Sequence, residues 1–315
     1  SRPYFRFIFK FKAAWGGFSL IYLVWVAVFF CIAGALALLF DERMEYCLAP
    51  ALCGGILLLY LFGLFGLLKP GLAAVALCGA VSAGYCLVRC VHGRTLFLRQ
   101  WFTPAMLLAL VGVAYIAWVQ RGRLVMGNDE FSHWAVTVKM MTHLDALSIT
   151  QPDRMHFPEY PPATALLEYL FVRFTPNFTE GYLYRALNLL QLSLLVPYLG
   201  RFNLRRFGLA CAGMGALFLL PLAFYGEFYT DLCVDGVLAL LFAWTLFGWF
   251  GRRKRDKFAA LWVTLGCAAL TLTKSSGFAL ALIALALILW DSMRQRMGVL
   301  GHDRSLAHNL ASQRR

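Results

Sequence analysis

Phe18 to Phe40 reads FSLIYLVWVAVFFCIAGALALLF, an apolar run without a single charged residue. As a helix rising about 1.5 Å per residue, it is long enough to cross a hydrocarbon core of roughly 30 Å. The rest of the chain is written the same way. Of 315 residues, 61% are hydrophobic and 14% charged, whereas a soluble domain is nearer about one half apolar. The sequence therefore predicts an all-α polytopic membrane protein. A net charge of +13 would suggest nucleic acid for a soluble chain, but cytoplasmic loops of membrane proteins gather Lys and Arg for topological reasons. Nucleic acid is excluded as a partner, and the lipid bilayer takes its place.

Working outward from that run, Arg2, Arg6, Lys10 and Lys12 alternate with Phe5, Phe7, Phe9 and Phe11 in a lead-in suited to a membrane surface. Further apolar runs lie at Tyr46 to Leu68, Gly71 to Val91, Phe102 to Val119, Tyr182 to Leu199, Phe207 to Phe224, Leu232 to Phe250, Phe258 to Thr273 and Gly277 to Trp290. With the first, they make about nine transmembrane helices. The organisation is N-terminal helices over 1–120, a large non-cytoplasmic loop with short amphipathic helices over 121–181, C-terminal helices over 182–290, and a polar cytoplasmic tail over 291–315. Nine cysteines are scattered through apolar runs with no CxxC pair, and they read as small core residues.

Orientation follows from the basic loops, Arg89/Arg94/Arg99, Arg201/Arg205/Arg206 and Arg252 to Lys257, together with Arg294, Arg296, Arg304, Arg314 and Arg315 in the tail. A cytoplasmic position for these puts Gln120 to Glu180, Tyr225 to Asp231 and the Lys274 turn together on the other side. Counting back places the basic N-terminus outside as well, against its charge, and leaves the early topology open.

The polar island is Gly127 to Pro162, GNDEFSHWAVTVKMMTHLDALSITQPDRMHFPEYPP. If Glu130 to His143 is helical, Asp129 and Glu130 share a face with His133. A carboxylate beside an imidazole can act as a general base or bind a divalent ion. The same residues fit a solvated first turn capped by Asp129, with Glu130 meeting the helix dipole. His156 to Pro162 is rigid and aromatic, either a connecting turn or a wall presenting Tyr160 to a substrate. Arg185, Asn188 and Gln191 recur every three residues and should face the protein interior. Arg185 could pair with a phosphate or snorkel to headgroups. Asp231 and Asp235 lie a helical turn apart, and Asp235 sits inside an apolar run, where an ionisable group signals function. Lys274, in the Thr273 to Gly277 break, needs an anion: a lipid phosphate, or Asp231 or Asp235.

Taken in order, the Asp129-Glu130 pair, Phe228-Tyr229-Thr230-Asp231 and the Leu270-Thr271-Leu272-Thr273-Lys274 turn resemble the GT-C superfamily of membrane glycosyltransferases, the group of protein O-mannosyltransferases and aminoarabinose transferases. The resemblance covers roughly Gly127 to Trp290. It implies inverting transfer of a sugar from a polyprenyl-phosphate donor to a hydroxyl of a glycan, lipid or protein acceptor, at a bacterial plasma membrane. Asp129 maps onto the catalytic base, with Glu130 as its close alternative. Lys274, Arg185 and Lys139 would neutralise the departing phosphate, with His133 and Tyr160 beside the substrate. Asp231 would be the second acidic position, a metal ligand or acceptor-positioning group, so that Asp129 and Asp231 are the candidates for a divalent cation such as Mg or Mn. Family members place the acidic loop after their first helix and continue beyond the Thr-Lys turn, so a shortened member is expected. Two other classes fit the same composition: a transporter or lipid flippase, and a lipid-linked glycan polymerase or ligase, for which Arg121, Arg123, Arg154 and Arg173 speak.

Overall fold

An apolar segment that leaves water must satisfy its own backbone N–H and C=O groups, and helix formation is the way a single segment does so. The computed structural model describes residues 20–92, 99–150, 157, 160–175, 177–252 and 255–296, and among these there is helix and no strand. The basic-aromatic lead-in, Arg94, Arg154, His156 and the tail beyond Arg296 lie outside the described residues. In order, the helices are α1 (Leu20–Phe40), α2 (Met44–Leu64), α3 (Leu68–His92), α4 (Pro104–Val119), a π-helical turn (Glu130–Trp134) leading into α5 (Ala135–Leu144), α6 (Ala163–Val172), α7 (Gly181–Leu195), α8 (Phe207–Phe224), α9 (Asp235–Phe250), α10 (Lys257–Thr273) and α11 (Ser275–Arg296). Five helical segments are long and apolar enough to cross a membrane: Leu20–Phe40, Met44–Leu64, Leu68–His92, Leu204–Phe224 and Ser275–Gln295. Each of the other predicted runs is also helical, but shorter.

Local chemistry sets the breaks. After α1, Asp41 takes the left-handed conformation (φ 53°) and the Glu42 amide returns to the Ala37 carbonyl at 2.9 Å, a Schellman-type closure. Thr103 accepts from the Met106 amide ahead of Pro104, and Asp256 accepts from the amides of Phe258 and Ala259; both are N-caps. Between α10 and α11 the break is at Lys274 alone. A Cβ on Gly277 would lie 1.9 Å from the Leu270 carbonyl oxygen, so only glycine lets α11 begin this close to the end of α10. The sequence predicted a short last helix ending at Trp290, but α11 runs on to Arg296. Asp291 is held there by the Trp249 indole at 2.9 Å and by Arg255 at 2.5 Å.

The helices run between two polar ends. One gathers Asp41 to Glu45, Gln100, Gly200, Arg252, Arg255 and Asp291, tied by Glu42 with Arg252, by Arg43 with the Gly200 carbonyl, and by Gln100 with Asp41 at 2.8 Å. The other gathers Gln120 to Glu130, Phe228 to Asp235 and Lys274. Relative to these two ends, α1 runs from the second to the first, and α2, α3 and α4 alternate. Between the ends, Trp244 stacks on Trp262 with centroids 4.7 Å apart, both fully buried. Around the outside, Leu219, Leu220, Phe224, Leu289 and Trp290 are exposed. In α8 only Ala210 is buried. An apolar girdle of this extent suits hydrocarbon, not water.

Helices α5 and α6, too short to span, are joined by a clamp. Asp145 accepts from Arg173 Nε at 2.5 Å and Nη2 at 2.8 Å, and from the Tyr169 hydroxyl at 2.7 Å. The Arg173 bond, partly countered by burial, holds the Asp145 carboxyl below the usual aspartate range. A depressed carboxylate stabilises the fold fully above its unfolded pKa and loses that contribution as pH falls through its folded one. Asp145→Asn should cost about 1.5–3 kcal/mol at pH 7, the range for hydrogen bonds to charged groups. The difference from wild type in thermal unfolding in detergent should shrink as the pH is taken below the ordinary aspartate range; a difference independent of pH would show that the ion pair is not its origin.

Candidate functional site

The second end is organised by a carboxylate whose role sequence spacing left ambiguous. The chain enters it from α4 and turns at Gly127 into the π-helical turn, closed by the Ala135 amide on the Glu130 carbonyl. Such turns are frequent at functional sites. Glu130 is 3% exposed. Its Oε2 accepts from the amides of Met126 at 3.0 Å and Gly127 at 2.8 Å, and its Oε1 from the Tyr184 hydroxyl at 2.8 Å and the Leu232 amide at 2.9 Å. Four donors from three parts of the chain thus meet one carboxylate. A Cβ on Gly127 would lie 3.2 Å from Glu130 Cγ and Oε2, so glycine gives the carboxylate room to fold back.

The Phe228 to Asp231 segment is irregular backbone beside apolar helices, tolerated where side chains satisfy it. The polar stripe of α7 does this. Asn188 donates to the Tyr229 carbonyl at 3.2 Å, Gln191 to the Phe228 carbonyl at 3.2 Å, and Gln120, from the end of α4, to the Tyr229 carbonyl at 2.9 Å and Asn188 Oδ1 at 2.7 Å. Arg123 donates to the Thr230 carbonyl at 2.7 Å. The stripe faces inward, as lipid avoidance requires, and its polar groups serve the backbone.

Pinned together, the two segments enclose a cleft of about 640 Å³ lined by Arg123, Asp129, Glu130, Glu227, Asp231 and Cys233 among others. Asp129 is exposed, so it is not on the buried face with Glu130 and His133; its side chain makes no cap. Asp231 accepts from the Tyr225 hydroxyl and, at 2.9 Å, from the Cys233 amide. Burial first, then the hydrogen bond and charge of Asp231, with Asp129 and Asp235 adding, pushes the Cys233 thiol up to about 12. With Asp129, Glu130, Glu227 and Asp231 against Arg123 in its lining, the cleft is acidic.

Lys274 sits beside this cleft, outside its lining. Its ammonium meets Asp235 at 2.7 Å, where the aspartate side chain is 68% exposed, and lies 5.9 Å from the centre of the Tyr160 ring. Burial lowers the Lys274 pKa, but the bond and charge of Asp235, with Tyr160 and Cys233, outweigh it and raise the value overall. Tyr160 stacks on Trp134 and Phe157, and buried His133 meets it edge-on at 5.0 Å. Asp129 and Asp231 thus share one cavity, while Tyr160, His133, Asp235 and Lys274 form an adjoining cluster.

Two expected phosphate ligands point elsewhere. Arg185 is 4% exposed, donates to the Ala117 carbonyl at 2.9 Å and lies over the rings of Tyr22 and Tyr182. Lys139 is exposed on α5, 6.0 Å from the Phe178 ring centre. Among the described residues no group of three or more His, Cys, Asp or Glu is placed to hold a metal ion, so these side chains alone do not make a divalent-cation site at Asp129 and Asp231.

Sequence reasoning passed over Gln120, Tyr184, Glu227 and Cys233, and it passed over Glu168 in α6. Glu168 is 2% exposed, and burial, with the charge of Glu130 nearby, holds its carboxyl well above the ordinary range. An acid within the apolar run Ala163 to Val172 was the available signal. No family model, curated protein or solved structure matches this chain.

The two neighbouring acids should therefore respond differently to neutralisation. Glu130→Gln puts an amide donor against existing donors and should cost about 1–3 kcal/mol for each group left unsatisfied. Asp129→Asn, at an exposed site, should stay within about 0.5 kcal/mol of wild type. Thermal unfolding of the purified variants checks this, and equal losses would contradict the assignment of Glu130 as the anchor.

Proposed function

We propose that this chain is a polytopic glycosyltransferase of nine transmembrane helices, α1 to α4 and α7 to α11, in a bacterial plasma membrane. The basic end faces the cytoplasm, and the acidic cleft opens on the other side. The carrying observation is that Asp129 and Asp231, from segments a hundred residues apart, line one open cleft beside the Lys274–Asp235 pair. A cleft at the edge of an apolar bundle suits a substrate with a lipid tail in the bilayer and a sugar in water.

The chemistry assigned is inverting transfer from a polyprenyl-phosphate sugar. Asp129, exposed and free of capping duties, takes the proton of the acceptor hydroxyl as its oxygen bonds to the anomeric carbon. The bond from that carbon to the phosphate oxygen breaks, and the electron pair leaves with the lipid phosphate. The phosphate needs a cation more than a proton. Lys274 supplies it by exchanging Asp235 for the phosphate, and Asp231, oriented by Tyr225 and the Cys233 amide, holds the acceptor. Tyr160 and Trp134 offer a stacked aromatic surface to the sugar.

A second reading rests on Glu168. A buried acid within an apolar helix is a common mark of ion-coupled transport, and no cation among the described residues pairs with this one.

Membranes supplied with labelled polyprenyl-phosphate sugars separate the two. Asp129→Asn should lower transfer by about 10²–10⁴-fold, the usual contribution of a general base, and Lys274→Ala by about 10²–10³-fold. Unchanged transfer in both would remove these residues from the mechanism. Ion or lipid flux that needs no sugar and disappears in Glu168→Gln would establish the transporter.

A further inference from the structure

The basic end carries a cleft of its own, about 680 Å³, which the proposed transfer does not use. Its lining includes Asp41 and Glu42 after α1, Arg99 and Phe102 before α4, and Leu204 and Arg205 before α8. Most charges around it are already matched. Glu42 pairs with Arg252, Arg43 with buried Glu45 at 2.8 Å, and Asp41 accepts from Gln100 at 2.8 Å. Arg99 and Arg205 are exposed, and no carboxylate among the described residues pairs with either. That leaves two guanidinium groups against the single remaining charge of Asp41.

Beside them the lining is apolar. Phe102 is 59% exposed and Leu204 61% exposed, at the level where helices emerge from the girdle. Guanidinium forks match phosphate oxygens, and basic pockets between helices at a membrane face accommodate anionic headgroups. We propose that this cleft binds the headgroup phosphate of an anionic phospholipid, with Arg99 and Arg205 on the phosphate and Phe102 and Leu204 against an acyl chain. A soluble phosphate ester would use the same cations but leave the apolar wall uncovered. The inference does not rest on the glycosyltransferase reading.

Arg206 supplies the control, because it is exposed and adjacent in sequence but outside the lining of the cleft. The full chain, purified in detergent, is titrated with phosphatidylglycerol and bound lipid is counted by native mass spectrometry. Wild type should show a saturable site that phosphatidylcholine does not fill. Arg99→Gln with Arg205→Gln should weaken it about tenfold or more, as expected for two cations near an anionic surface. Arg99→Lys with Arg205→Lys should weaken it less than the double glutamine variant, which separates lost charge from misfolding, and Arg206→Gln should leave it intact. Equal weakening by Arg206→Gln would assign the effect to diffuse basic charge and overturn the site, as would unchanged binding in the double glutamine variant. Displacement of the lipid by an equal concentration of glycerol phosphate would overturn the lipid as occupant.

Discussion

One buried carboxylate holds the acidic end of this protein in shape. Glu130 takes hydrogen bonds from the Met126 and Gly127 amides, the Tyr184 hydroxyl and the Leu232 amide, and so joins the Gly127 turn, α7 and the approach to α9. A charge buried this deeply is costly unless its lone pairs are filled, and here each oxygen has two donors. The donors need it in return, because two irregular segments would otherwise bury amides without partners beside apolar helices. Removing the carboxylate therefore loosens both segments at once.

The adjacent acid is left free by the same arrangement. With Glu130 turned inward, Asp129 lines the cleft together with Asp231, whose segment is held by the same carboxylate through Leu232 and by Gln120, Asn188 and Gln191 through its carbonyls. The order of dependence runs from a satisfied buried charge to two fixed backbone segments to two carboxylates in one cavity, Asp129 exposed and Asp231 half-buried. The basic end is built differently, from ion pairs between side chains such as Glu42 with Arg252 and Arg255 with Asp291. Its surplus arginines therefore remain on the surface.

Much of the scaffold could be read in advance because hydrocarbon imposes strict rules. Each apolar run is helical, and the Asn188/Gln191 stripe turns inward because polar amides are costly against lipid. The division of labour between Asp129 and Glu130 could not be read. Both are acids at the start of one helix, and an α-helical register puts both near His133. The π-helical turn and the fold-back onto the Gly127 amide separate them, and the carboxylate is completed by Tyr184 and Leu232, donors more than fifty residues away. The partner of Lys274 was narrowed to a lipid phosphate, Asp231 or Asp235; in this structure it is Asp235, one helical turn from the acid that lines the cleft. The continuation of α11 past Trp290 depends on Trp249 and Arg255 reaching Asp291, which a local apolar count does not contain.

The shared cavity of Asp129 and Asp231 can be tested directly in native membranes. Asp129→Cys and Asp231→Cys are introduced together with Cys233→Ser, treated with a short bis-thiol-reactive cross-linker, and the linked peptides are identified by mass spectrometry. A link between positions 129 and 231 that is lost when Glu130 is replaced by Gln is the predicted result. Efficient modification of both cysteines without a link between them would show that the two acids do not face one another, and would contradict the cleft on which the proposed chemistry stands.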